Sequence, residues 1–285
     1  MEWIGSPLEI AHQFDGYIFD IFGVLHDGTH AHDEVIGWLL ALKEQKKKIG
    51  LISNSPLVPE QVKHTLEGFG IESAYYNDTL LTAGQEARYF LETYAPGKKC
   101  FFVGSEQMAA ALVPPTMTLV DALSKAHLIV FAGPDPAVKN RDFYDDLLQE
   151  ALALKLPLVC ANPDVSVYVG REVALRAGLF AQRYEDLGGH VTYHGKPHPS
   201  IYMRLAQQWA PIRPERILCI GDSFVTDVIG ATFQGHASLL IAGYLCLQEL
   251  GIEVPEGTPQ SRLREKISAH IEKGPYNPTY GLFLS

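Results

Sequence analysis

The sequence has no closely spaced pair of cysteines and no long apolar run. Its cysteines are scattered, so neither a disulfide framework nor a CxxC metal site is predicted. They are Cys100, Cys160, Cys219 and Cys246. No stretch is apolar over the length that a bilayer requires, and the first residues lack the basic and apolar regions of a secretory signal. We therefore expect a protein of the reducing cytoplasm.

Positive charge is also scarce. Lys and Arg number 23 against 33 Asp and Glu, which gives a net charge of -10. Such a surface repels the phosphate backbone of nucleic acids and anionic membranes, so neither is an expected partner. A small phosphorylated metabolite would need local positive charge from a metal ion, a lysine or backbone N–H groups. The 285 residues are enough for two domains.

Three short apolar runs each end abruptly in polar residues. Asp20 ends the first, Ser53-Asn54 the second and Gly221-Asp222 the third. Runs of this kind suit strands buried on both faces, and a helical pattern follows each one. The alternation predicts a doubly wound, Rossmann-like α/β fold with a parallel sheet. Ligands bind at the carboxyl ends of such strands, so these polar residues are expected to meet.

The middle of the chain repeats the same alternation. Apolar runs at 100–103, 128–131 and 156–159 alternate with helical patterns at 105–112 and 142–154. We place a smaller α/β cap domain at residues 83–187, inserted into a core of residues 1–82 and 188–285. A homodimer formed through the cap is one assembly that the sequence allows. The tail after Gly274 is expected to pack as an edge strand.

Three aspartates carry the main chemical prediction. A carboxylate at a strand end, such as Asp20, can attack phosphorus and divide one difficult hydrolysis into two easier steps. Asp222 ends a strand, and Asp227 is expected in the first turn of the next helix. Carboxylates converging there would suit Mg²⁺, which prefers oxygen ligands. Taken alone, Asp20 reads as a loop cap and Asp222 as a helix cap.

Two further segments could bind a phosphoryl group. Lys196, held between Gly195 and Pro197, could balance the charge of the carboxylates and of an incoming phosphate. Ser53 and Asn54 offer a hydroxyl and backbone N–H groups at a strand end. Each segment in isolation is an ordinary surface turn.

In this order, the segments resemble the haloacid-dehalogenase-like superfamily, and most closely its type IIA phosphatases. The resemblance rests on GDSFVTD, HGKPHP and the strand before Ser53-Asn54, and it spans nearly the whole chain. It implies that Asp20 is the nucleophile, that Ser53 and Asn54 bind the phosphoryl group and that Lys196 balances charge. It also implies that Asp222 is a metal ligand and that Asp227 is either a metal ligand or a residue that contacts one.

The resemblance also covers part of the predicted cap. Asn162-Pro163-Asp164 is similar to a segment near the cap–core junction of these enzymes, which implies that Asn162 and Asp164 bind substrate. Specificity is expected around Asn162 to Arg171, with Arg176 and Arg183 as further candidates.

One position departs from the family pattern. Related phosphatases carry a second aspartate two residues after the nucleophile, which protonates the leaving group, whereas this chain has Phe22. The family's metal contact there is made by the backbone carbonyl, which Phe22 could still supply. The loss of a general acid–base costs about 10²–10⁴-fold in rate, and less for leaving groups that need no proton. His26 and Asp27 are candidate substitutes, and an aromatic residue here resembles an uncharacterised type IIA subgroup.

Three functions are compatible with this pattern. The first is a Mg²⁺-dependent phosphatase acting on a small metabolite such as a sugar phosphate. The second, suggested by Phe22, is a binding or regulatory protein that keeps the phosphate site but turns over slowly. The third is a metal-free dehalogenase, which would not need Asp222.

Overall fold

The structure is a computed structural model that describes residues 1–77, 79–134, 141–169, 172–255, 257–272 and 277–284. Its strands, in chain order, are β1 (Glu2–Trp3), β2 (Gly16–Phe19), β3 (Lys48–Ser53), β4 (Leu80–Thr82), β5 (Lys99–Val103), β6 (Thr118–Val120), β7 (Leu128–Phe131), β8 (Leu158–Cys160), β9 (Ser166–Val169), β10 (Glu172–Leu175), β11 (Val191–Tyr193), β12 (Ile217–Gly221), β13 (Ala237–Ile241) and β14 (Tyr280–Leu282).

The α-helices are α1 (Asp33–Glu44), α2 (Pro59–Gly68), α3 (Ala83–Tyr94), α4 (Glu106–Leu112), α5 (Arg141–Ala153), α6 (Ala177–Asp186), α7 (Pro199–Gln208), α8 (Ile229–Phe233), α9 (Tyr244–Glu249) and α10 (Gln260–Ile271). A π-helical turn, Phe224–Val228, leads directly into α8. Short 3-10 helices occur at Pro7–Gln13, Ser73–Tyr76, Leu123–Lys125 and Pro214–Arg216.

The chain divides into two compact units. The first comprises Met1–Ile52, Thr65–Leu80 and Tyr202–Ser285, and the second comprises Ser53–His64 and Leu81–Ile201. The predicted limits of the cap at 83–187 differ from these bounds and stay a prediction. Strand β11 begins after the predicted upper limit of residue 187, and it pairs in parallel with β8 of the second unit. No helix in the described part of the chain is both long and apolar enough to cross a membrane.

The first unit is built on a seven-stranded sheet with the order β1-β14-β13-β12-β2-β3-β4. From β1 through to β3 the neighbouring strands pair in parallel. Every residue of β2 and of β12 is buried, which explains why these runs are continuously apolar. The predicted α/β fold with a parallel sheet is therefore confirmed. The C-terminal strand is an exception to the sequence prediction, because β14 lies between β1 and β13 rather than at an edge.

Helix α1 shows how the sequence sets the elements of this unit. Val35, Trp38, Leu39 and Leu42 recur at helical spacing and are buried, while Asp33 and Glu34 lie at the positive end of the helix. The helix ends at Glu44, and Lys46 follows with a left-handed φ of 59°. The chain then turns back into β3.

The second unit has its own sheet, with the order β11-β8-β7-β5-β6, and a separate β9–β10 hairpin. Alternate residues of β7 enter two different hydrophobic clusters. Ile129 and Phe131 pack with residues of α5 and α6, whereas Leu128 and Val130 pack with residues of α3 and α4. This sheet is therefore covered by helices on both faces, as the alternating strand and helix patterns predict.

Candidate active site

Three carboxylates meet at the carboxyl end of the first unit's sheet. Strands β2 and β12 are parallel neighbours, with Phe19 paired to Ile220, so the residues that follow them emerge side by side. The ladder continues one step further, because Asp20 N–H donates to the Ile220 carbonyl at 2.8 Å. One carboxylate oxygen from each of Asp20, Asp222 and Asp227 lies within 4.8 Å of the others. The structure thus brings together the three acidic residues that the sequence predicted would converge.

Burial makes this cluster electrostatically costly without a cation. Asp20 and Asp227 are 8% and 5% exposed, and Asp222 is half-buried. Like charges this close repel one another, and a bound cation would offset that repulsion. The donors are hard oxygens at a separation suited to one small divalent ion. The residues present therefore fit Mg²⁺, although their roles as ligands stay a prediction.

Two glycines permit this close approach. Gly23 has a left-handed φ of 86°, and a Cβ at that position would overlap Asp222 Oδ2. A Cβ at Gly221 would overlap the carboxylate of Asp227. The backbone on each side of the acidic cluster must therefore lack a side chain.

A hydrogen-bond network fixes the loop after β12. Ser223 caps the π-helical turn, since its Oγ accepts from Thr226 N–H at 3.1 Å. Asp227 Oδ2 accepts from Ser223 N–H at 3.3 Å and from Thr226 Oγ1 at 3.4 Å. Asp227 therefore lies in the first turn of the helix that follows β12, as expected, and that turn is π-helical.

Glu249, at the end of α9, completes this network, a role that the sequence alone does not indicate. Its carboxylate accepts from Ser223 Oγ at 2.6 Å and from Phe224 N–H at 2.7 Å. Burial raises the pKa of Glu249 to about 7. The sequence gives no signal for this contact, because a glutamate at the end of an amphipathic helix is usually solvated.

The turn after Asp20 contains an aromatic cluster where a second acid would be expected. The Phe22 ring lies edge-on to His26 at 5.6 Å, and His26 stacks on Phe69 at 4.5 Å. Gly28 N–H donates to His26 Nδ1 at 3.0 Å, so the neutral ring carries its hydrogen on Nε2. Burial lowers the pKa of His26, so the imidazole is neutral at physiological pH.

Asp27 does not supply an acidic proton either. Its Oδ1 accepts from Thr29 N–H, Thr29 Oγ1 and His30 N–H, each at 2.7 Å. These bonds favour the charged form and hold the pKa of Asp27 well below its usual range. Neither His26 nor Asp27 therefore offers a carboxylic acid or an imidazolium at neutral pH.

The predicted phosphate-binding residues of the second unit form their own network around Asn54. Lys196 N–H donates to Asn54 Oδ1 at 2.6 Å, and Asn54 Nδ2 donates to the Lys196 carbonyl at 3.0 Å. The same Nδ2 donates to Asp164 Oδ1 at 2.7 Å, and Asn162 Oδ1 accepts from Asp164 N–H at 3.0 Å. The amide of Asn54 thus links Lys196 to the Asn162-Pro163-Asp164 segment. This link could not be predicted from the sequence.

Ser53, Lys196 and Arg183 are further residues of this unit that were predicted from the sequence. Ser53 is buried at the end of β3 and accepts through Oγ from Ser55 N–H at 3.1 Å. Lys196 is only 2% exposed, and it precedes Pro197 through a cis peptide bond. Arg183 pairs with Asp145 at 2.7 Å. Arg171, at the end of the predicted specificity segment, lies outside the described residues.

Comparisons with known proteins agree with this architecture. A family model described as haloacid dehalogenase-like hydrolase matches residues 17–113, and one described as HAD-hydrolase-like matches residues 193–243. Among curated proteins, the 5'-nucleotidase YutF of Bacillus subtilis is 22% identical over 230 residues, which cover 80% of this chain and 87% of that protein.

Two crystal structures are similar over almost their full lengths. A haloacid dehalogenase-like hydrolase from Brucella suis 1330 is 26% identical and superposes with a TM-score of 0.82, covering 98% of each chain. A possible sugar phosphatase of the HAD superfamily from Cytophaga hutchinsonii is 19% identical with a TM-score of 0.78, covering 99% of this chain and 98% of that one. At 19% identity, the likeness to the Cytophaga hutchinsonii protein shows a shared fold only.

Proposed function

Because the chain belongs to the haloacid-dehalogenase-like superfamily, we propose that it is a Mg²⁺-dependent phosphatase that hydrolyses the phosphate monoester of a small metabolite. The observation that carries this proposal is the meeting of Asp20, Asp222 and Asp227 within 4.8 Å at the end of the parallel sheet. The likeness to a 5'-nucleotidase supports nucleotide phosphates as the substrate class, and sugar phosphates are the other class that we propose.

Asp20 acts as the nucleophile in this scheme. One of its carboxylate oxygens forms a bond to phosphorus while the bond from phosphorus to the ester oxygen breaks, which gives an aspartyl-phosphate. Water then attacks phosphorus, the bond to Asp20 breaks, and inorganic phosphate leaves. A bound Mg²⁺ would neutralise the clustered carboxylates and the charge on the phosphoryl oxygens.

Asp20, Asp222 and Asp227 would hold the ion, with the Phe22 carbonyl as a further proposed ligand. Ser53 and Lys196 are proposed to bind the phosphoryl oxygens, because the first offers a hydroxyl and the second a cation. The side chain of Asn54 is engaged with the Lys196 backbone. We therefore propose that it orders Lys196, while its backbone N–H remains a candidate phosphate contact. Asn162 and Asp164 are proposed to serve the substrate side of the site.

The leaving oxygen is proposed to take its proton from solvent. Phe22 has no acidic proton, His26 is neutral, and Asp27 is held as a carboxylate by three donors. Substrates whose leaving group is already stable as an anion, such as aryl and acyl phosphates, should therefore react fastest.

The test is phosphate release from p-nitrophenyl phosphate and from a panel of alkyl and sugar phosphates, with Mg²⁺ and with EDTA. We expect Mg²⁺-dependent turnover that falls by on the order of 10⁴-fold or more in Asp20→Asn, because the nucleophile is lost. Metal-independent turnover, or activity retained by Asp20→Asn, would overturn the proposal.

The same assay separates the alternatives. The presence of Phe22 favours a slow-turnover binding protein as the second candidate, which would bind phosphate esters saturably without releasing phosphate. A metal-free dehalogenase would release halide in EDTA. The clustering of three carboxylates disfavours that function, since they repel one another unless a cation is bound.

A further inference from the structure

The residue that most directly supports the loop between two proposed metal ligands is Glu249. Its two carboxylate oxygens accept from Ser223 Oγ at 2.6 Å and from Phe224 N–H at 2.7 Å. Ser223 and Phe224 lie between Asp222 and Asp227 in the chain, so one side chain from α9 holds the backbone that carries both aspartates. Bidentate, charge-assisted contacts of this length are among the stronger hydrogen bonds in proteins.

The contact reaches Asp227 through one intermediate residue. The hydroxyl group of Ser223 donates to Glu249, and the same oxygen accepts from Thr226 N–H at 3.1 Å. The backbone N–H of Ser223 donates to Asp227 Oδ2 at 3.3 Å. The orientation of the Asp227 carboxylate is therefore connected to Glu249 by successive hydrogen bonds within the same unit.

The placement of Glu249 is costly for the fold by itself. It lies at the C-terminal end of α9, where a negative charge meets the negative pole of the helix. It is also half-buried, and that burial raises the pKa of its carboxyl group. A solvated polar residue at this position would avoid both the unfavourable charge at the helix end and the burial of a carboxyl group. The geometry therefore favours a role for Glu249 in ordering the loop over a contribution to stability.

We propose that Glu249 is a positioning residue for the metal site: it holds the Ser223–Asp227 turn so that Asp222 and Asp227 keep the separation at which they bind one divalent ion. The proposal rests on the proposed function, because it presumes a metal among these carboxylates. Groups that orient metal ligands typically change metal affinity by 10–100-fold when they are removed.

The test measures metal binding without turnover, in the full chain. Mn²⁺ serves as the probe, and the free ion is followed by its electron paramagnetic resonance signal in wild type and in Glu249→Ala, Glu249→Gln and Glu253→Gln. Glutamine can keep both contacts if the Ser223 hydroxyl reverses its role, whereas alanine keeps neither. Glu253 is exposed in the segment that follows α9, so Glu253→Gln is the matched control.

We expect the Mn²⁺ dissociation constant to rise at least about tenfold in Glu249→Ala. We expect it to stay within about threefold of wild type in Glu249→Gln and unchanged in Glu253→Gln. A folded Glu249→Ala variant with wild-type affinity would overturn the proposal. If that variant does not fold, Ser223→Ala removes the hydroxyl contact with Glu249 together with the bond from Thr226 N–H, and unchanged affinity in it would equally sink the idea.

A second readout separates this proposal from the proposed function. Amide hydrogen exchange in peptides covering residues 222–228 is measured in the metal-free protein. Faster exchange in Glu249→Ala than in Glu253→Gln supports the proposal that Glu249 orders the turn. Failure of wild type to bind Mn²⁺ would overturn the metal-dependent function but not this ordering role. Equal exchange in the two variants contradicts the ordering role.

Discussion

The backbone of Gly23 lies against the carboxylate of Asp222, so closely that a Cβ at position 23 would overlap Asp222 Oδ2. The two residues come from the turn after β2 and the loop after β12, which are adjacent because these strands pair in parallel. The close contact makes the turn after Asp20, the proposed nucleophile, and the proposed metal ligand Asp222 a single packed unit. Any side chain at position 23 must displace one of them.

Gly23→Ala is therefore expected to weaken metal binding as well as stability. Alanine at a φ of 86° costs about 1–2 kcal/mol in backbone strain, and its Cβ would also push Asp222 away. Urea unfolding with and without Mg²⁺ measures both effects. Gly37→Ala is the control, because Gly37 lies in α1 with open space around it and should gain stability by up to about 1 kcal/mol. A Gly23→Ala variant with the wild-type response to Mg²⁺ would show that Asp222 is not held by this contact.

Removing one carboxylate should stabilise the metal-free protein. Asp20, Asp222 and Asp227 repel one another, so Asp222→Asn is expected to raise the melting temperature in EDTA. Wild type should gain about 2.7 kcal/mol at a Mg²⁺ concentration of one hundred times the dissociation constant, and the variant should gain much less. Thermal unfolding in EDTA and in Mg²⁺ measures this, with the exposed Asp146→Asn as the control. A variant that is less stable than wild type in EDTA would argue against charge repulsion as the dominant effect.

Phe22→Asp should raise the rate on alkyl phosphates more than on p-nitrophenyl phosphate. The new carboxyl group could protonate a poor leaving group, an effect of about 10²–10⁴-fold, whereas p-nitrophenolate needs no proton. The measurement is kcat/KM for both substrates. Phe22→Asn loses the same ring contact with His26 but has no acidic proton, so it is the matched control. An equal response of the two variants would mean that another group supplies the proton.

The stability of the second unit should depend on pH through His194. Neither ring nitrogen has a hydrogen-bond partner among the described residues, and burial lowers the pKa of His194 to about 4. The unfolded chain, with a pKa near 6.5, binds the proton more readily between these values. The stabilising contribution is therefore complete above about pH 6.5 and is lost as the pH falls toward 4.

His194→Leu should remove this dependence. Between pH 8 and pH 5, wild type is expected to lose about 2 kcal/mol more of its free energy of unfolding than the variant does. Urea unfolding at the two pH values gives the comparison, and His190→Leu at an exposed position of the same unit is the control. If His194→Leu keeps the wild-type slope, the imidazole is not the group that titrates.

The sequence was sufficient to predict the parts of the fold that depend on continuous apolar runs. β2 and β12 are buried throughout, β3 is buried from Ile49 onward, and a polar residue marks the carboxyl end of each run: Asp20, Ser53 and Asp222. Parallel pairing then places Asp20 beside the loop of Asp222 and Asp227. That convergence follows from general rules of α/β sheets and needs no side-chain detail.

Other features could not be predicted because they depend on tertiary contacts. β1 has only two residues, Glu2 and Trp3, which give no strand pattern, yet it covers the edge of β14. The contact between Glu249 and Ser223 joins residues 26 positions apart on two separate elements. The pairing of Asn54 with the Lys196 backbone spans 142 positions. No local periodicity encodes such contacts.

The pairing of Gly16 with Ile217 also has a consequence for the protein during its synthesis. β2 leaves the ribosome well before β12, its partner on one side, because the chain between Gly16 and Ile217 must be made first. Until then one edge of a wholly apolar strand has no partner, and such edges promote aggregation. Nascent chains that stop before residue 217 should therefore need chaperones, and they would carry Asp20 without Asp222 and Asp227.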